Sequence, residues 1–105
     1  MNNVEILEGA VEIVKQGWVQ GNLAEDSDGN CVSPDDDKAC SWCLIGSLIK
    51  AGNVVNLEDL IEVVHAIRAE IRMLSLIEWN DAHDRTQQDV VEMIERTKKR
   101  VKESF

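Results

Sequence analysis

The spacing of the apolar residues restricts this chain most: they recur in steps of three and four along four separate stretches. Val4, Leu7, Val11, Val14 and Trp18 share one face of a helix, with Glu5, Glu8, Glu12 and Lys15 outside it. Leu57, Leu60, Val64, Ile67, Ile71 and Leu74 form a second stripe, and Val90, Ile94 and Val101 a third. In the remaining stretch Cys40, Cys43, Leu44 and Leu48 lie together, and Trp42, Ile45 and Ile49 widen the face until most of the circumference is apolar. A helix that greasy belongs at the centre. Such stripes are buried only against one another, so the expected fold is all-α: a compact, four-helix bundle-like single domain over residues 1–105.

Local signals set the bounds. The expected helices cover about 3–17, 34–51, 57–75 and 87–103, with an acidic loop at 20–33. Asn2 or Asn3 caps the first, and Gly17 or Gly21 marks its end. Ser33-Pro34-Asp35-Asp36 reads as a cap, a first-turn proline and an acid placed to start the second helix, which ends at Gly52. Gly46, one turn after Trp42, leaves room for a neighbouring helix. Asn56 caps the third helix, and Thr86 with Asp89 the fourth. Outward pairs Glu92/Arg96 and Glu95/Lys99 have the favourable four-residue spacing. Asp28-Gly29 is a turn pair, with Leu23-Ala24 and Val32 as short flanking strands of an irregular loop or minimal β-hairpin.

Charge is one-sided. Residues 1–64 carry 12 acids against 3 bases, a balance of −9, whereas residues 65–105 carry 8 of each. Glu25, Asp26, Asp28, Asp35, Asp36 and Asp37 fall within 13 residues that hold no base. Such a surface repels phosphate backbones, which argues against nucleic acid, and it suits a protein partner with a basic surface. No apolar run reaches the ~18 residues of a membrane span. The N-terminus has neither a basic region nor an apolar core, so a cytoplasmic location with reduced thiols is expected.

Few residues invite chemistry. Cys40-Ser41-Trp42-Cys43 is half a zinc site or a redox pair, but zinc would need Cys31, His65 or His83 to complete its ligands. On a helix the two thiols are simply small side chains on one face. Asp26-Ser27-Asp28-Gly29-Asn30 opens like a calcium loop, yet the glycine required at the sixth position is Cys31. His65 reads as a partly buried residue beside the stripe, and His83 lies among Asp81 and Asp84 in a polar link. No nucleophile-base arrangement or phosphate cradle stands out, so neither a catalytic residue nor a cofactor is assigned. Trp18 and Trp42 belong to the core. Trp79 lies outside the helices, as a plug at the bundle's end whose indole N–H meets a carbonyl, or as an interface anchor if exposed.

Gly17-Trp18 with Gly21, Ala39 with Trp42-Cys43 and Gly46, and Trp79-Asn80-Asp81 with Arg85-Thr86 and Val90 together resemble a family of small proteins of unknown function from phage and bacterial genomes. The pattern is G-W, an acidic D-x-x-G loop, W-C-x-x-G-A, W-N-D and R-T-x-x-E-V, and the resemblance spans about 17–91. Ser47 stands where alanine is usual, Asp89 replaces glutamate, and Cys40 is additional. The resemblance implies a discrete domain and lends no catalytic residue. The expected function is a small acidic, non-enzymatic interaction module, such as a phage accessory protein engaging a host protein through its acidic face. The alternatives are a metal- or ligand-binding domain using Cys31, Cys40 and Cys43 or the Trp79–Asp84 region, and a small-molecule sponge or hydrolase with a pocket near Trp79.

Overall fold

The computed structural model describes residues 2–103, so the expected span of 1–105 runs past it at both ends. Its elements are α1 (Asn3–Gln16), β1 (Ala24–Glu25), β2 (Ser41–Trp42), α2 (Leu44–Gly52), a 3-10 turn (Leu57–Leu60), α3 (Ile61–Ile71), α4 (Leu76–Asn80) and α5 (Gln87–Glu103). The domain is thus mostly helical, with five α-helices and a two-stranded antiparallel sheet among the described residues. No described helix is long and apolar enough to cross a membrane.

The first and last helices form where local signals place them. Asn2 Oδ1 accepts from the Glu5 amide at 2.8 Å while the Glu5 carboxylate accepts from the Asn2 amide at 3.1 Å, which satisfies two donors the helix cannot. Thr86 and Asp89 exchange the same pair of bonds at the start of α5. Leu7, Val11 and Val14 of α1 and Val90, Met93 and Ile94 of α5 are fully buried or nearly so. The expected outward pairs on α5 are rearranged. Arg96 and Arg100 reach Glu70 on α3 at 3.8 and 3.7 Å, and Glu95 pairs with Lys98 at 3.1 Å.

The centre differs from expectation. It is α1, packed against both α2 and α5, rather than the second helix. That helix begins at Leu44, ten residues after Pro34, where the cap-and-proline pattern predicts its start. After Pro34 the backbone makes two separate turns, Asp36 N–H to Ser33 and Ala39 N–H to Asp36, each at 3.0 Å. Asp36 Oδ1 takes the Lys38 amide and Ser33 Oγ donates to Asp35, so the aspartates bond their own loop in place of a helix. Residues 41–42 instead become β2, pairing Ala24 with Trp42 and Glu25 with Ser41. Glu25 also bridges Cys31 on its other side, and Trp42 bridges Trp18. The expected hairpin is therefore one part of a larger patch of extended backbone.

The third expected helix, 57–75, opens as the 3-10 turn and stops short at Ile71, and α4 follows as an element the sequence reading did not include. Arg72 adopts a left-handed conformation (φ 57°) and ends α3, its amide bonding Arg68 O at 2.8 Å. Ser75 then caps α4, which contains Trp79. Leu74, expected in the stripe, is 81% exposed as a result. Neither glycine nor proline marks this end, so the apolar period predicts helix as far as 75.

Candidate functional site

Asn80 is the junction on which the unusual residues converge. It is 1% exposed, and all four of its side-chain bonding positions are used. Oδ1 accepts from the Trp18 indole N–H at 2.8 Å and from the Leu44 amide at 3.0 Å. Nδ2 donates to Val19 O at 3.2 Å and to Asp81 Oδ1 at 2.9 Å. Because both neighbours on the oxygen side are donors, the amide has only one possible orientation. Asp81 Oδ1 also accepts from the Gly21 amide at 3.2 Å, and Gln20 donates to the carbonyls of Asn80 and Ala82, both at 3.0 Å. One short helix thereby fastens the 17–23 segment to the start of α2.

The bond to Leu44 explains how α2 begins without an ordinary cap. Cys43 occupies the cap position, and its sulfur accepts from the Gly46 amide at 3.3 Å, a weak partner. Asn80 supplies the stronger acceptor from 36 residues away. Two glycines make the packing possible. A Cβ on Gly17 would lie 2.2 Å from the Cys40 carbonyl oxygen, and one on Gly46 would lie 2.0 Å from that of Leu23. Gly46 thus admits a loop carbonyl rather than the expected neighbouring helix.

The tryptophans divide between two jobs. Trp42 is buried and its indole N–H donates to Pro34 O at 2.9 Å, anchoring the acidic segment to the core. Trp79, placed in α4 rather than outside the helices, is 7% exposed. The Arg85 guanidinium lies 4.0 Å from its ring centroid, and Arg85 Nε donates to the Trp79 carbonyl at 2.8 Å. Trp79 is therefore covered by a cation and cannot serve as an exposed anchor.

The acids take different roles. Asp26 Oδ1 accepts from the amides of Asp28 and Asn30, both at 2.9 Å, so the carboxylate closes its own turn. The Asn30 amide is the main reason its pKa falls below the usual carboxylate value. Glu25 is half-buried and takes the Asn22 side chain at 2.7 Å. Asp28, Asp35, Asp36 and Asp37 are exposed. None of the ion pairs among the described residues involves any of these six.

The set considered for metal does not assemble. Among the described residues no three His, Cys, Asp or Glu side chains gather as ligands. Cys31 and Cys40 are exposed at the sheet, Cys43 is buried at the head of α2, and His65 and His83 both face solvent. The reading of Cys40 and Cys43 as partners on one helix face fails because neither lies within a helix. Burial pushes the Cys43 thiol pKa up, the Gly46 and Ile45 amides pull it partly back, and the Asp81 charge raises it further. Native protein at pH 8 should therefore take up iodoacetamide rapidly on Cys31 and Cys40, with Cys43 at least about tenfold slower. Peptide mass mapping over time checks this, and three equally fast thiols would show that the head of α2 opens.

The sequence reading missed an apolar surface beside this junction. Leu23, Ile45 and Ile77 line a cleft of about 170 Å³ with Cys43 and Asp81. Leu23 also borders a wider recess with Val32, Pro34, Ile49 and Val55. The available signal was the breadth of apolar residues on the second helix: the sector containing Ile45 and Ile49 is half-exposed, not core.

Residues 1–100 match the Family of unknown function (DUF6197), and the chain belongs to that family. No curated protein and no solved structure matches the chain.

Proposed function

We propose that this member of a family of unknown function is a non-enzymatic interaction module that engages a basic protein partner through the acidic segment 25–37. One observation supports the reading above others. Asp28, Asp35, Asp36 and Asp37 are exposed on a segment fixed to the core by the Trp42–Pro34 bond and the β1–β2 pairing, and no ion pair among the described residues neutralises them. A pre-formed anionic surface attracts a cationic partner over long range and loses little entropy when it docks. The polar residues that would otherwise suggest chemistry, Asn80 and Asp81, are engaged in holding backbone.

Raising salt from about 10 mM to about 100 mM shortens the screening length from about 30 Å to about 10 Å. Affinity for proteins captured from the source cells should fall at least about tenfold over that range. The triple variant Asp35→Asn/Asp36→Asn/Asp37→Asn should show the weaker binding already at low salt. Capture that ignores both salt and the triple variant rejects the acidic face as the contact surface.

A further inference from the structure

We propose that the partner segment is an amphipathic basic helix whose apolar face seats in the trough along the outer side of α2, an inference that rests on the acidic-face reading above. Leu23 is the common wall of the two recesses and is 38% exposed, with Ile77 at 54% on one flank and Val55 at 90% on the other. Ile45 faces the first recess and Ile49 the second. They are separated by one turn of α2, about 6 Å of rise. A facing helix that places apolar residues at i, i+3/i+4 and i+7 repeats that spacing. The narrower recess, at about 170 Å³, is close to the size of an apolar cavity that accepts a benzene ring (about 150 Å³), so one leucine or phenylalanine side chain fits it.

Charge identifies the occupant. Asp81 lies in the first recess and Asp35 in the second, and the remaining acids of segment 25–37 continue from Asp35. An apolar seam bordered by carboxylates complements a helix whose apolar stripe is flanked by Lys and Arg, and it repels an acidic one. Among the described residues, the basic helix end of a second copy does not supply such a helix. The basic end of α5 holds Arg96, Lys98, Lys99 and Lys102, but the apolar face of α5 is already buried in its own core at Val90, Met93 and Ile94.

The test uses the full chain and two synthetic peptides of about five helical turns, identical in leucine and lysine composition. One carries leucine at helical spacing; the other is scrambled. Fluorescence anisotropy should show the amphipathic peptide binding at least about tenfold more tightly than the scrambled one. Leu23→Gln and Ile77→Gln, at exposed positions, should each weaken the amphipathic peptide about five- to tenfold and leave the scrambled one unchanged. Circular dichroism confirms that both variants are folded. The Asp35→Asn/Asp36→Asn/Asp37→Asn variant should weaken both peptides. Equal binding of the two peptides, sensitive to the aspartates but not to Leu23 or Ile77, overturns the trough and leaves the acidic face standing. Binding of neither peptide overturns both. Sedimentation that shows wild-type self-association, abolished by Leu23→Gln, overturns the proposed occupant in favour of a second copy.

Discussion

Asn80→Ala should lower the unfolding free energy by about 3–5 kcal/mol, a large share of the ~5–15 kcal/mol typical of a domain. The amide makes four bonds, and its loss strands the buried Leu44 amide together with the Trp18 indole N–H and the Val19 carbonyl. Each buried group left without a partner costs about 1–3 kcal/mol, less where water can enter beside Trp18. Chemical denaturation measures the change directly, and a loss below about 1 kcal/mol would show that Asn80 is a bystander. Asn80→Asp separates geometry from charge. The introduced carboxyl keeps an acceptor for Trp18 and Leu44, but once ionised it can no longer donate to Val19 and faces the Asp81 carboxylate. Burial and that neighbour, set against the Trp18 and Leu44 donors, are expected to raise its folded pKa above the unfolded value of about 3.9. Its stability relative to wild type is therefore greatest below about pH 4, where the protonated group can still donate, and falls as pH rises through the folded pKa. Parallel denaturation curves from pH 4 to 8 test the sign.

Gly46→Ala is expected to cost about 2–4 kcal/mol, although alanine favours a helix by about 1 kcal/mol over glycine. The new Cβ would lie 2.0 Å from Leu23 O and 2.9 Å from its carbonyl carbon. Those are backbone atoms, and the same oxygen is held by the Cys43 amide at 3.1 Å, so no side-chain rotation can relieve the contact. Gly52→Ala in the same helix is the control, since the nearest atoms to its Cβ belong to the Leu60 side chain, Cδ1 and Cδ2 at 3.0 Å and Cγ at 3.5 Å, rather than to backbone. It should be near neutral. Hydrogen exchange provides a second readout: Gly46→Ala should release the Cys43 amide as Leu23 is pushed outward, which also dismantles the trough. Unchanged stability and protection would mean that the 21–23 loop is free to move off α2.

Where the determinants of structure were local, the sequence was sufficient to find them. The Thr86–Asp89 cap joins residues three apart, Asn2 is one of two candidate caps for α1, and the buried faces of α1 and α5 follow from their apolar period. Ser33-Pro34 misled because the same local pattern supports either a helix start or a pair of turns, and three consecutive aspartates that bond neighbouring amides favour the turns. The break at Arg72 carries no glycine or proline, so local propensity gave no warning of it. For the site, the sequence singled out Trp18, Trp42, Trp79, Asn80 and Asp81 as residues needing explanation. It did not reveal that Asn80 caps α2, nor that Arg85 covers Trp79.

The sequence by itself determined a mostly helical domain, the positions of its first and last helices and a strongly anionic first half, because period, capping and net charge are properties of neighbouring residues. Only the tertiary structure decided where α2 begins, which residues form β1 and β2, and which apolar side chains stay in water. Each of those outcomes depends on a partner far along the chain: Asn80 for Leu44, Gly17 and Ala24 for Trp42, Leu23 for Gly46. A hydrogen bond between distant residues leaves no periodic trace in the sequence. It exists only after the core has closed and brought its two ends together.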